Sequence, residues 1–239
     1  MRHKFVQTSN VTRFLAATDA VQDPGASEAC FLLVDGDAGF GKSECGQWWA
    51  VRNNGVFIRV KAACTPFWIL SDLVTELGEP CRARGCERLF NHAIELLIKD
   101  PRPIVLDEVE SALHDIRVLE TVRDISDLVE VPVIMLGREH VWATIRKHNH
   151  FRSRISARAS FGRATTKDVE ALVTGLCEVP VAAELVKRIE AESEGRVREI
   201  VKAIKNVERV GLRNKGRTVG EELMSGKPLC HDWQKRRAS

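Results

Sequence analysis

A glycine-rich segment near the start of the chain constrains the fold more than any other feature. Residues 36–43 match the pattern G-x-x-x-x-G-K-[ST] in full. The apolar run 31–35 before it predicts a buried strand, and residues 44–51 after it predict a helix. In this context a glycine-rich turn and a helix N-terminus aim several backbone N–H groups at one point, which suits phosphate oxygens. The segment therefore predicts a nucleotide phosphate site between a strand and a helix.

The residue types of this segment assign roles in a site for ATP and Mg²⁺. Lys42 is expected to reach the β- and γ-phosphates, and the Ser43 hydroxyl is expected to bind Mg²⁺. The glycines carry no Cβ and let the backbone approach the phosphates. The candidate cofactor-binding residues of the segment are Gly36, Asp37, Ala38, Gly39, Phe40, Gly41, Lys42 and Ser43.

Polar residues also follow two later apolar runs. The run 103–106 ends at Asp107 and Glu108, and the run 131–136 leads through a glycine to Arg138. We expect Asp107 to hold Mg²⁺, directly or through water, and Glu108 to polarise water against the γ-phosphate. This acid pair favours nucleotide hydrolysis over storage, and it counts against a small-molecule kinase. The strand that lies between the two nucleotide sites commonly presents a polar residue at its C-terminal end. Here that residue is Arg138, with Glu139 as the alternative.

Apolar runs and helix-length stretches alternate up to about residue 163. Strands are predicted near 31–35, 56–60, 103–107, 132–137 and 157–161, and helices over 43–53, 66–78, 86–99, 112–128 and 139–150. This alternation is typical of an α/β fold. From Thr165, an N-cap, the pattern is helical, with a second helix from Pro180 and a third over 196–210. We predict a P-loop NTPase fold, a three-layer parallel sheet with a small C-terminal helical lid.

Composition excludes several classes and bears on location. The 239 residues are 44% hydrophobic, too apolar for a disordered chain, and no apolar run approaches the length that spans a bilayer. The seven cysteines form no Cys-x-x-Cys pair, and the first residues lack the apolar region of a secretory signal. We expect a cytoplasmic protein without a membrane partner.

Charge is distributed unevenly along the chain. The formal net charge is +3, but residues 196–239 carry +7 and the preceding residues carry −4. A second basic stretch, 138–163, has seven cations and one acid. Such asymmetry favours a polyanionic partner, nucleic acid before membrane, although a solvated helix face would look similar.

The sequence resembles the AAA+ ATPases, and within them the target-selection ATPases of DNA transposition (the phage Mu B group). The resemblance rests on residues 36–43, the pair Asp107-Glu108, and the segments 10–15, 131–137, 151–155 and 195–198. It covers roughly residues 8–210. It implies an N-terminal entry segment (1–27), an AAA+ nucleotide-binding domain (28–163), a helical lid (164–212) and a basic C-terminal tail (213–239).

The resemblance also implies roles for several arginines and lysines. Arg154, with Arg152 as the alternative, resembles the arginine finger that reaches a neighbouring subunit's γ-phosphate, and Arg198 resembles the second sensor in the lid. Arg138 stands where this group has its first sensor, usually Asn, Thr or Ser. In related filament-forming ATPases the region after the second strand grips DNA. The candidate DNA-binding residues there are Arg59, Lys61, Arg82, Arg84 and Arg88.

Together these features predict an ATP-dependent DNA-binding ATPase with little sequence preference. The expected catalytic residues are Lys42, Glu108, Arg154 and Arg198, and the expected Mg²⁺ ligands are Ser43 and Asp107. The resemblance implies that the protein forms a helical oligomer or filament on double-stranded target DNA. The oligomer would deliver this DNA to a transposase. Two alternatives remain open: a helicase-loader-like replication ATPase, and a nucleotide-gated protein-interaction switch that does not bind DNA.

Overall fold

The computed structural model describes residues 1–22, 30–81, 85–214 and 217–230. The chain divides into two compact units. The sheet unit comprises Arg13–Asp37 and Lys42–Ser160. The helical unit comprises Met1–Thr12, Ala38–Gly41 and Phe161–Ser239. In the described part of the chain no helix is both long and apolar enough to cross a membrane.

The sheet unit is built on five strands in the order β2-β3-β4-β1-β5. The strands are β1 (Phe31–Gly36), β2 (Val56–Arg59), β3 (Ile104–Asp107), β4 (Val133–Leu136) and β5 (Ile155–Phe161). The pairs β1–β4, β2–β3 and β3–β4 are parallel. All residues of β1, β3 and β4 are buried, as expected for central parallel strands. The predicted α/β fold and parallel sheet are confirmed.

Helices connect the strands and form the outer layers. They are α1 (Ser9–Gln22), α2 (Lys42–Arg52), α3 (Pro66–Glu76), α4 (Cys86–Lys99), α5 (Arg117–Val129), α6 (His140–Ile145) and α7 (Asn149–Arg152). Side chains alternate along a strand, so each face of the sheet has its own set of apolar residues. Phe31 and Leu33 pack in the main core with α3, α4 and α5.

The other face of the sheet receives α2 at very short range. A Cβ at Gly46 would collide with the Leu136 side chain and would crowd Val105. Trp49 of α2 is 3% exposed and meets Phe14 of α1 edge to face, with ring centroids 6.2 Å apart. Because α2 begins with Lys42, this close packing fixes the position of the residues that open the helix.

Two predicted helices of the sheet unit are interrupted. In place of the helix predicted over 112–128, the structure has a 3₁₀ turn, Val109–Ala112, followed by α5. The Arg117 backbone N–H at the start of α5 donates to Asp115. The prediction over 139–150 is divided into α6 and α7, because His148 adopts an extended backbone conformation between them.

The helical unit packs α8 (Thr166–Leu176), α9 (Ala183–Ser193), α10 (Val197–Arg213) and the short α11 (Glu221–Met224) around its own core. Thr165 forms the predicted N-cap, as part of a capping box with Asp168. The second helix begins at Ala183 and not at Pro180, because Val181 forms a parallel bridge with Val219. Asp168 also accepts hydrogen bonds from the Ser9 backbone and hydroxyl, which fixes the start of α1.

Part of the segment predicted as a basic tail is folded into this core. Val219, Met224 and Leu229 are at most 1% exposed. Arg188 donates hydrogen bonds to the carbonyls of Met224 and Lys227 and pairs with Glu221. Residues 217–230 of the predicted basic C-terminal tail thus contribute to the core of the helical unit. Residues 231–239, with the cations 235–237, lie outside the described residues. The other predicted domain boundaries stay a prediction.

Candidate functional site

The phosphate loop follows β1 and leads directly into α2. Gly39 and Gly41 have φ angles of 89° and 91°, in the left-handed region that side chains disfavour. An alanine at either position would be strained, which explains the two glycines. Lys42 and Ser43 are the first two residues of α2, so their backbone N–H groups are among those left free at the N-terminus of an 11-residue helix.

Lys42 points its amine at the carbonyls that precede the loop tip. Its Nζ donates hydrogen bonds to the Gly36 oxygen at 2.7 Å and to the Asp37 oxygen at 2.9 Å. Burial lowers the pKa of Lys42, and nearby carboxylates oppose this effect. Those carboxylates are Glu110, Asp107, Asp37 and Asp35. A half-buried amine held by two carbonyls is ready to exchange them for phosphate oxygens.

Ser43 and Asp107 form the oxygen pair that suits a magnesium ion. The Ser43 Oγ donates to Asp107 Oδ1 at 3.0 Å, and Asp107 is 2% exposed. A hydroxyl beside a buried carboxylate fits Mg²⁺, which takes one or two protein oxygens and completes its shell with phosphates and water. Within the described ranges, no group of three His, Cys, Asp or Glu side chains forms a metal site. Bound magnesium would thus depend on these two residues together with the nucleotide.

Glu108 lies just beyond the buried strand end. Its φ of 58° places it in the left-handed region, and its side chain is 52% exposed. Strain of this kind at a strand end is typical of functional residues. Arg59, in register with Asp107 on the neighbouring strand, has its guanidinium 3.4 Å from Asp107 and 3.8 Å from Glu108. The structure thus brings Arg59, predicted as a DNA ligand, to the two acids.

Arg138 is held by an acid that the sequence did not single out. Its Nε lies 3.1 Å from Glu110 Oε1, and its backbone N–H donates to Glu110 Oε2 at 3.2 Å. Glu110 sits in the 3₁₀ turn after β3, where only the tertiary fold brings it to the end of β4. The sequence offered one signal for Glu110, because Glu108 and Glu110 both lie within three residues of Asp107.

In the helical unit, the loop tip Ala38–Gly41 meets the start of α10. The Arg198 backbone N–H donates to the Gly39 carbonyl at 3.1 Å. The Arg196 guanidinium donates to the Ala38 carbonyl at 2.9 Å and lies 5.8 Å from the centre of the Phe40 ring. The structure thus brings Arg198 to the loop tip. Arg196 also contacts the loop tip, and it was not among the predicted site residues although it adjoins Gly195.

Arg154 occupies a structural ion pair within the chain. Its Nε and Nη2 each donate to Asp127 at 3.0 Å, and its side chain is 23% exposed. Arg152, the alternative, is exposed at the end of α7. The arginine-finger role concerns a second subunit and stays a prediction.

The remaining candidate DNA ligands have different surroundings. Lys61 pairs with Asp72, and its amine lies 4.9 Å from the centre of the Trp68 ring. Arg88 is exposed on α4. Arg82 and Arg84 lie outside the described residues.

A further buried acid fixes the strand that carries the loop. Asp35 of β1 is 1% exposed and accepts hydrogen bonds at 2.7 Å from Arg158 Nε and from the Ser160 hydroxyl, both on β5. A buried carboxylate with two donors is satisfied and ties the end of β1 to β5.

The glycine-rich loop after β1 and the buried acid at the end of β3, on a sheet of this order, define a P-loop nucleotide-binding protein of the AAA+ class. The chain belongs to the AAA domain family, which matches residues 26–145. The comparison with curated proteins found no match.

Solved structures with the same fold have low sequence identity to the chain. The Orc1 protein of Aeropyrum pernix, solved in complex with DNA, has a TM-score of 0.68 at 14% identity over 92% of this chain. Cdc6p from Pyrobaculum aerophilum has 0.63 at 11% over 93%, and a RuvB mutant from Thermotoga maritima has 0.57 at 16% over 92%. The chain covers 65%, 68% and 68% of these three proteins, respectively, so it spans about two thirds of the Orc1 length.

Proposed function

We propose that the protein is an ATPase that binds duplex DNA when it holds ATP and releases the DNA after hydrolysis. The contact between Ser43 and Asp107, beside the exposed Glu108, carries the proposal. These groups supply a metal ligand pair and a base at the carboxyl edge of the parallel sheet, where nucleotides bind in such folds. A loop that only stored nucleotide would need no second acid.

In the proposed reaction, this chain's residues bind, orient and accept a proton. Lys42 exchanges the carbonyls of Gly36 and Asp37 for β- and γ-phosphate oxygens. Water attacks the γ-phosphorus in line, the bond to the β–γ bridging oxygen breaks, and Glu108 takes the proton from the water. Magnesium, when bound by Ser43 and Asp107, neutralises the charge that develops on the phosphate oxygens.

Cations beside the loop supply further stabilisation in this proposal. Arg198 acts as the second sensor, since its backbone is already bonded to the Gly39 carbonyl. Arg138, oriented by Glu110, faces the same edge of the sheet as Asp107 and is the candidate first sensor. Arg154 of a neighbouring subunit completes the site, so nucleotide state controls assembly. For that role Arg154 must exchange Asp127 for the γ-phosphate of the adjoining subunit.

The DNA partner and the biological role are the finer part of the proposal. The basic stretches of the sequence and the fold shared with an Orc1 protein solved in complex with DNA support a DNA partner. The resemblance of the motifs to the phage Mu B group supports oligomerisation on target DNA and delivery to a transposase in the cytoplasm. A replication role of the helicase-loader kind is the second candidate, because the motifs that define the ATPase core do not separate the two groups.

The substitution Glu108→Gln tests the proposed chemistry. The amide keeps the size of the side chain but accepts no proton, so ATP turnover should fall at least about 100-fold while ATP affinity is retained. Assemblies formed with ATP on duplex DNA should then persist, as followed by light scattering. Glu44→Gln, at an exposed position in α2, is the matched control and should leave turnover unchanged. Normal turnover and rapid disassembly of Glu108→Gln would exclude Glu108 as the base.

A further inference from the structure

One face of α10 carries cations and no anions. The two acids of this helix, Glu199 and Glu208, are 4% and 5% exposed and belong to its buried side. The cations on the opposite side are Arg198, Lys202, Lys205, Arg209 and Arg213. Their spacings of four, three, four and four residues place all five within about 80° of the helix circumference. The positive charge that the sequence shows in 196–239 is therefore partly concentrated on one rigid face.

This face is not balanced as an ordinary solvated helix surface is. Neighbouring cations three or four residues apart repel one another and destabilise a helix. Only Lys202 has an acidic partner here, Glu199 at 2.7 Å. Within the ranges that the structure describes, Lys205, Arg209 and Arg213 form no ion pair. The helix keeps a row of like charges that an anionic partner would stabilise.

We propose that Lys202, Lys205, Arg209 and Arg213, the α10 stripe, bind the sugar–phosphate backbone of duplex DNA. The inference rests on the proposed function, and it adds a site to the residues assigned from the sequence. At 1.5 Å per residue the stripe is about 17 Å long. A duplex carries one negative charge per about 1.7 Å of axis, so several phosphates lie within its reach.

The chemistry of the stripe favours DNA over a membrane surface. An interfacial helix inserts an apolar face into lipid. The apolar residues of α10, including Ile200, Ile204 and Val207, are instead fully buried in the helical unit. Leu212 is the only large apolar side chain of α10 that is more than half exposed, at 59%. Aromatic residues for base stacking are absent from α10, so the contacts are with phosphates and carry little sequence preference.

The experiment is a salt titration of binding to a labelled duplex of mixed sequence, with ATP and Mg²⁺, using the full chain. The test variant combines Lys205→Gln, Arg209→Gln and Arg213→Gln. The matched control removes three exposed lysines outside the two basic stretches, by Lys99→Gln, Lys167→Gln and Lys187→Gln. A plot of log K against log salt has a negative slope, and each lost phosphate contact makes it less steep by about 0.9. The slope of the test variant should therefore be less steep than that of the parent by about 3. Its affinity near 0.1 M salt should fall about 100-fold or more, and the control should keep the parent slope.

Turnover without DNA should match the parent in both variants, and neither thermal midpoint should fall below that of the parent, which shows that the fold is intact. The midpoint of the test variant should rise slightly, because three cations that repel one another are removed. The single variant Arg209→Gln provides a second test, with an expected loss of about 1 in slope. If the test variant keeps the parent's slope and affinity, the α10 stripe does not bind DNA, while the proposed function stands. The partner of the stripe is then an acidic protein surface. A parent chain that does not bind DNA overturns the proposed function as well.

Discussion

The Ser43 hydroxyl donates a hydrogen bond to Asp107 across 64 residues of sequence, over 3.0 Å. This contact joins the first turn of α2 to the end of β3. The buried Asp107 also receives the Arg59 guanidinium. The carboxylate is thus fixed by a hydroxyl and a cation.

Asp107→Asn should separate metal binding from folding. The amide oxygen still accepts from Ser43, so the thermal midpoint should change little. The loss of charge removes the attraction for Mg²⁺. We expect affinity for ATP with magnesium to fall by about tenfold or more, with little change in EDTA, as measured by fluorescence of a labelled nucleotide. An equal loss under both conditions would argue against Asp107 as a metal ligand.

Lys42→Met should stabilise the nucleotide-free protein while it abolishes ATP binding. Burial lowers the pKa of Lys42, so the charged amine costs folding free energy below that lowered pKa. The unfolded chain then binds more protons than the native one, and the stability of the parent rises with pH through this window. The stability advantage of the variant should therefore shrink toward pH 10, as followed by urea unfolding. A variant less stable than the parent at pH 8 would contradict this account.

Arg154→Ala and Asp127→Ala together distinguish a finger from a structural ion pair. Both changes break the same half-buried pair and should lower the free energy of unfolding by about 1–2 kcal/mol. Only Arg154→Ala should also lower, by about 1,000-fold or more, the part of ATP turnover that rises with protein concentration. If both variants show the same turnover, Arg154 is structural, and Arg152→Ala is the next variant to measure.

Asp168→Asn should destabilise the helical unit in a pH-dependent way. Burial acts to raise the pKa of Asp168, but hydrogen bonds from Ser9 and Thr165 outweigh it and the pKa is lowered. The carboxylate therefore adds stability above its ordinary pKa, and this contribution is lost as the pH falls through the lowered value. The variant should lose about 2 kcal/mol at pH 7, and the difference should vanish in acid. A constant difference between pH 7 and pH 3 in denaturant titrations would exclude this role.

The sequence predicted the parts of the fold and site that depend on local pattern. The loop 36–43, the strand end at Asp107 and the N-cap at Thr165 each follow from short-range chemistry, and the strand positions follow from apolar runs. Partners brought together by the fold were not predictable. Glu110 reaches Arg138, and Asp127 reaches Arg154, through contacts that no spacing encodes.

The distribution of charge along the sequence does not show which contacts each cation makes. Arg59 was assigned to DNA because it lies in the region that grips DNA in related filament-forming ATPases. Its register opposite Asp107 places it beside two acids, and its DNA role stays a prediction. The positive C-terminal region was expected to be a tail, whereas residues up to Cys230 fold onto α9 and α10. Helix periodicity could have revealed the α10 stripe, since its spacing is visible in the sequence.

The most direct test of the account is binding of the full chain to non-specific duplex DNA at low salt, measured by fluorescence anisotropy with ATP and Mg²⁺, with ADP, and without nucleotide. The account predicts tight binding with ATP only, a steep loss of affinity as salt rises, and retention of the complex by Glu108→Gln. Equal binding under the three conditions, or no binding with ATP, would contradict an ATPase that controls DNA binding.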